Sequence, residues 1–220
     1  MKCTIMRWCI KYKRVYYEMR MSGEKSKRNR PQSSETGKRA RTRKALLAAA
    51  ADVIGEKGFD RASLEEIAGR AGMTRGAVYG NFKNKDELFL ALVADLWQPV
   101  LPPAQPGASL KQQMRLLGKT VANQARIRRQ HAAAAVAFQL YALTHEKMRS
   151  KITKKNAVIY KNIAKELSKA VPAERLPMPA EHFVRVLDAM TTGLLFTYFQ
   201  TPDLITEEIF IAAFEGLAKN

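Results

Sequence analysis

Cysteine, histidine, acidic residues and long apolar runs are all scarce in this chain, and each shortage excludes something. Only two cysteines occur in 220 residues, Cys3 and Cys9, both in the first nine positions. The remainder therefore carries neither a disulfide framework nor zinc-ligand spacing, and a reducing, cytoplasmic setting is expected. The three histidines, His131, His145 and His182, sit in no His-Glu-x-x-His pattern, and neither a P-loop nor a nucleophile elbow occurs. No catalytic constellation, metal site or cofactor is implied, and the chain is not expected to be an enzyme. The longest uncharged stretch, Gln130 to His145, is 16 residues with polar ends. A spanning helix needs about 20 mainly apolar residues, so no membrane association is expected. Lys2, Arg7, Lys11, Lys13 and Arg14 break up the start of the chain, unlike a secretory signal.

Basic charge and helical patterning are abundant. Lys and Arg total 38 against 20 Asp and Glu, a net +18, and residues 1–44 hold 15 of the basic and 3 of the acidic side chains. Such a front end favours polyanions, nucleic acid or an anionic surface, the bland alternative being a solubilising tail. Residues 1–37 look like a basic tail: Met1 to Arg20 has no clear period, and Ser22 to Gly37 is polar enough to be disordered. Met21, which opens the polar stretch, is an alternative start. No strand or repeat is evident, and the apolar fraction of 46% supplies a core. An all-α fold is expected, with domains at 38–98 and 99–220 divided by a linker holding Pro99, Pro102, Pro103 and Pro106.

The first of these domains carries the sharpest local pattern. A helix over Lys38 to Lys57 stops at Gly58. Ser63 with Glu66 reads as a capping box opening a second helix, with Leu64, Ile67, Ala68 and Ala71 on one face. Gly72 supplies the positive φ of a helix stop, and Thr74 caps a third helix running to about Asn81, with Val78 and Phe82 facing inward. Asn84 with Glu87 opens another helix, Asp86 to about Trp97. Two short helices about a glycine turn form a helix-turn-helix, whose second helix enters a DNA major groove.

Leu46-Leu47, Ala49-Ala50 and Val53-Ile54, then Gly58-Phe59, Ala62-Ser63, Ile67-Ala68, Ala71-Gly72-Met73, Val78-Tyr79, Asn81-Phe82, Asn84-Lys85 and Leu88 follow one another at ungapped spacing. In this the segment Thr42 to Val93 resembles the TetR family of transcriptional regulators. Two departures stand out: Ala62 where threonine is usual, and Gly80, which threatens an early helix end and the absence of one base contact. The resemblance implies that Thr74, Arg75, Gly76 and Tyr79 face the groove, with Arg75 reading bases. Tyr79 and Lys85 would contact phosphate, and Thr42, Arg43 and Ser63 would add backbone contacts. The implied protein is a homodimeric regulator, a repressor, bound to a palindromic operator in double-stranded DNA and released by a small apolar organic effector. The alternative is a constitutive architectural DNA binder attached mainly by its basic tail.

Beyond Trp97 the sequence carries no signature. Ser109 with Gln112 opens a helix to about Arg128, Gln130 to His145 should be helical and largely buried, and Glu146 to Ala170 is a long amphipathic helix. Ala180 to Gln200 and Thr206 to Lys219 close the chain. Their apolar residues cover more than one face, and the resemblance implies pairing with a symmetry mate through Met190, Leu194, Tyr198, Phe210 and Phe214. Candidate effector liners are Trp97, Met114, Phe138, Tyr141, Met148, Tyr160 and Phe183, although Met and aromatic residues at helical spacing also make ordinary core. The lysines from Lys147 to Lys169 read as a solvated face or as a second nucleic-acid surface.

Deleting residues 1–20 should leave fold and specific DNA affinity nearly unchanged. Deleting 1–37 should lower affinity and flatten its salt dependence, because it removes part of a basic arm, Ser22 to Arg43, whose Lys25, Lys27, Arg28, Arg30, Lys38, Arg39, Arg41 and Arg43 can reach phosphates or a minor groove. A salt titration of the three chain lengths checks this, and a loss of folding on removing 1–20 would contradict it.

Overall fold

The computed structural model describes residues 33–96, 100, 102, 105 and 107–218, and among them every regular element is helical. The helices are α1 (Ser33–Lys57), α2 (Leu64–Arg70), α3 (Arg75–Tyr79), α4 (Lys85–Leu96), α5 (Leu110–Arg128), α6 (Ala132–Thr144), α7 (Glu146–Ala170), α8 (Ala180–Gln200) and α9 (Glu207–Glu215). Short 3₁₀ turns lie at Arg129–His131 and Ala173–Arg175. No helix among the described residues is long and apolar enough to cross a membrane. Trp97 lies outside the described residues.

Local chemistry accounts for most boundaries. The Ser109 hydroxyl accepts from the Gln112 amide, and the Gln112 side chain accepts from the Ser109 amide in return, a complete capping box. Asn84 Oδ1 accepts from the Glu87 amide at 2.9 Å and starts α4. α1 is already helical at Ser33, the first of the described residues and ahead of the expected Lys38.

Two compact units form, one from α1 to α4 with α6, the other from α5, α7 from Ser150, α8 and α9. In the first, Leu46, Ala50, Val53 and Ile54 of α1 are buried with Ile67, Val78, Phe82, Leu88, Phe89 and Leu92. α6 lies along α1, where Gly55 faces the alanines of α6; a Cβ there would make ordinary contact with the Ala133 Cβ at 3.5 Å. Phe138 and Tyr141 then join Phe59 and Phe89 in a ring cluster with centroids 3.9 to 5.4 Å apart. The expectation that 130–145 is largely buried needs correction. The contact face consists of small alanines and Phe138, while Leu140 and Leu143 on another side are 62% and 68% exposed.

In the second unit α5 is the central strut. Its buried face, Met114, Leu117, Gly118, Val121, Ala122 and Ala125, packs chiefly on α9 and also on α8. The α5–α9 crossing is tight because Gly118 has no side chain. A Cβ at that position would lie 2.8 Å from both the Ile211 Cα and the Phe210 carbonyl oxygen. Phe210 and Phe214 fill the same contact, 1% and 0% exposed. Tyr160 of α7 donates to Asp188 of α8, and burial together with that carboxylate pushes the phenol far above its ordinary pKa.

Gly118→Ala should destabilise the chain by about 1–3 kcal/mol, since the added carbon meets backbone that cannot rotate away. Urea denaturation followed by circular dichroism checks this, and an unchanged midpoint would show that the crossing is looser than described.

Candidate nucleic-acid interface

The turn between α2 and α3 follows from four residues. Gly72 takes φ +64°, the Met73 amide donates to the Ala68 carbonyl at 2.8 Å, and the Thr74 hydroxyl accepts from the Ala77 amide at 3.3 Å. At the start of α2, Ser63 Oγ accepts from the Glu66 amide at 3.0 Å. No return bond from Glu66 to Ser63 forms; its carboxylate pairs with Lys57 of α1. α3 ends at Tyr79, two residues short of the expected Asn81, because Gly80 takes the cap position.

α3 is held from behind. Val78 and Phe82 are buried, and α1 grips the helix's C-terminal end. Arg43 donates to the Asn81 carbonyl at 3.1 Å with its guanidinium 4.4 Å from the Phe82 ring centroid, and Arg39 donates to the Gly80 carbonyl at 3.4 Å. Cations at these carbonyls are favourable, since the C-terminal end of a helix is negative. The other side of α3 is open: Thr74, Arg75, Gly76 and Tyr79 are all exposed. A Cβ at Gly76 would meet only the Thr74 hydroxyl, at 3.7 Å, so nothing of the protein covers the backbone there.

Both expected DNA-facing cations already have protein partners. Arg75 Nε lies 2.8 Å from Glu65 Oε1, and its Nη2 donates to the Tyr79 hydroxyl at 3.3 Å; these two neighbours raise its pKa further. Lys85 Nζ donates to the Asp60 carbonyl at 3.1 Å and sits 4.5 Å from the Phe59 ring centroid. Burial lowers the Lys85 pKa against the opposing pull of Asp60 and Asp86. Thr42 is half-buried on α1. The structure thus places Thr74, Arg75, Gly76 and Tyr79 on one exposed helix, with Ser63 at the start of α2, Lys85 at the start of α4, and Thr42 and Arg43 on α1. The partners Glu65 and Asp60 were absent from the sequence expectation, and no periodicity marks them; Arg39, expected to reach phosphate, donates to the Gly80 carbonyl.

The expected effector liners fall in both units. Phe138 and Tyr141 are committed to the ring cluster of the first unit, and Met148 is buried at the start of α7. Met114 and Phe183 are buried in the second unit, where Tyr160 is half-buried. A cleft of about 450 Å³ in the second unit is lined by Ala122, Arg126, Tyr198, Pro202, Ile205, Thr206, Glu207, Glu208 and Phe210, and by none of the expected liners. Arg126 spans it to Glu207 at 3.0 Å. Of the expected pairing residues, Met190, Leu194 and Tyr198 are half-exposed at four-residue spacing along α8. Phe210 and Phe214 are a correction: they are buried in the chain's own α5–α9 core, so neither side chain can reach a partner surface. Among the described residues, no three His, Cys, Asp or Glu side chains group as a metal site.

Residues 46–92 match the family model described as bacterial regulatory proteins, tetR family. The chain is 44% identical over 54 residues to the HTH-type transcriptional repressor BepR of Brucella suis, a match covering 24% of this chain and 26% of that protein. It is 33% identical over 86 residues to the HTH-type transcriptional regulator YdeS of Bacillus subtilis, covering 39% and 40%. The first curated relatives are thus matched over about a quarter of their length. Among solved structures, NalD, the secondary repressor of the MexAB-OprM multidrug efflux pump in Pseudomonas aeruginosa, aligns with a TM-score of 0.57 and 27% identity, covering 82% of this chain and 97% of that one. A Rhodococcus structure aligns with a TM-score of 0.64 at 18% identity over 80% and 96%, which speaks to the fold. The helix-turn-helix segment of this chain is thus matched in sequence by the tetR family of bacterial regulatory proteins, and its helical architecture is shared with solved transcriptional regulators.

Proposed function

We propose that this chain is a sequence-specific DNA-binding transcriptional regulator, a repressor that acts as a homodimer on a twofold-symmetric operator. The observation that carries the proposal is the open face of α3: a cation, an uncovered glycine backbone and a phenol side by side on a helix anchored from behind. A guanidinium on such a helix can pair with guanine O6 and N7, while phosphate contacts from Tyr79 and Lys85 set the register. Gly76 lets the backbone approach the groove. Arg43 and Ser63, each already bonded within the protein, serve the interface mainly by holding α3 and α2, with Thr42 beside them.

Binding in this scheme is an exchange. Arg75 gives up Glu65, and Lys85 offers phosphate the donor hydrogens that Asp60 leaves unused. The exposed Arg75–Glu65 pair is worth little in water, so the exchange costs little. Homodimerisation through the half-exposed stripe Met190, Leu194 and Tyr198 would present two copies of α3 to successive major grooves. Release by a small apolar organic effector is the finer part of the proposal. It rests on the family match of residues 46–92 and on the apolar side chains Met114, Tyr160 and Phe183 of the larger unit. The effector shifts the DNA-binding equilibrium only by its differential affinity for the two states.

Arg75→Ala should cost about 1–3 kcal/mol on the specific site and relax the sequence preference there. Lys85→Ala should weaken specific and non-specific DNA alike, with a shallower salt slope. Footprinting across a salt series separates the two effects, and unchanged footprints for both variants would refute the assignment.

A further inference from the structure

The C-terminal part of α7 carries a feature that the helix-turn-helix does not use. α7 holds eight basic and two acidic side chains. Within the second unit, Lys151, Lys154, Lys155, Lys161, Lys165 and Lys169 are all exposed. At 100° per residue these six fall within an arc of about 120°, and from first to last they span about 27 Å along the helix. The opposite side, Ile163, Ala164 and Leu167, is buried, so the orientation of the strip is fixed by packing.

A strip kept only for solubility would mix its signs. This one sets lysine four residues from lysine at 151 and 155, at 161 and 165, and at 165 and 169, and such like-charge pairs oppose the helix that carries them. Lys169 is relieved by Glu166 at 2.7 Å. The chemistry of the strip selects its partner. Lysine is a point charge on a flexible stem and suits phosphates met in any register, whereas arginine suits bidentate recognition. The only large apolar side chain exposed on the arc is Val158. A helix lying in a membrane interface would need a broad apolar face, and a protein interface would need aromatic or aliphatic anchors. Neither is present. A duplex at 3.4 Å per base pair offers about eight base pairs of backbone over the length of the strip.

We infer that the exposed lysine strip of α7, Lys151 to Lys169, is a second, sequence-independent contact for the phosphate backbone of duplex DNA. The inference rests on the DNA-binding reading above and extends it to a surface remote in sequence from the recognition helix. In the cell it would raise the affinity for DNA of any sequence, so that specificity falls to α3 and retention is shared with α7.

The test uses the full chain and a mixed-sequence duplex lacking the operator, with anisotropy followed between roughly 50 and 200 mM salt. The quadruple variant Lys154→Gln, Lys155→Gln, Lys161→Gln, Lys165→Gln should bind at least about tenfold more weakly at the low-salt end. Its log–log slope should be shallower by about two to four, near 0.9 for each phosphate that is no longer neutralised. The same four positions changed to arginine should behave as wild type. The two double variants, at 154/155 and at 161/165, should each give part of the slope change, which covers a quadruple variant that fails to fold. A helical quadruple glutamine variant with wild-type affinity and slope would overturn the inference while leaving the DNA-binding reading intact. So would a loss confined to binding of phosphatidylserine vesicles. Absence of duplex binding by the wild-type chain would overturn both.

Discussion

A helix of five residues has no stability of its own, since nucleation fixes several dihedrals for a single hydrogen bond. α3 therefore exists only because the rest of its unit holds it, and everything proposed for the open face depends on that hold. Two contacts supply it. Val78 and the following Phe82 insert into the core made by α1, α2 and α4. Around the same C-terminal end the guanidinium of Arg43 bonds the Asn81 carbonyl and stacks on Phe82, while Arg39 reaches the Gly80 carbonyl. The last carbonyls of α3 accept from Gly80, Asn81 and Phe82, and the two carbonyls that follow the helix, at Gly80 and Asn81, are satisfied by α1. An early helix end, which looks like a defect in the sequence, is compensated by arginines far away along the chain.

The same economy governs charge. The cations best placed for DNA are oriented before any DNA arrives: Arg75 by Glu65 and Tyr79, Lys85 by the Asp60 carbonyl and the Phe59 ring. Orientation by exposed partners limits the rotamers lost on binding without holding the cation so tightly that DNA cannot compete. The lysines of α7 are different. They lie exposed along one face of a single helix, as suits contacts that carry no sequence information.

Much of this was legible in the sequence because caps and glycines act locally. Thr74, Ser109 with Gln112, Asn84 and Gly72 each fix a boundary through atoms within a few residues, so spacing alone reveals them. What escaped was decided by tertiary contact. Glu65 and Arg75 meet across a turn with no periodic signal. Phe210 and Phe214 sit in a pattern that serves an own core and a partner surface equally well; the closeness of α9 to α5 at Gly118 decided for the core. Gln130 to His145 looked buried because it is uncharged. Its alanines allow close packing on one side and leave Leu140 and Leu143 bare on another. Effector liners carry no such local mark, since aromatic and methionine residues at helical spacing fill cores and pockets alike; Phe138 and Tyr141 stand in the ring cluster with Phe59 and Phe89.

The central claim is that an anchored α3 reads base sequence, twice over, through a symmetric pair of chains. Selection of bound duplexes from a random-sequence pool by the full-length protein tests it most directly. The account predicts enrichment of one motif whose two halves are inverted repeats, with centres about one helical turn or a small multiple of it apart. Enrichment of no motif, or of a single unsymmetrical half-site bound by one chain, would contradict it.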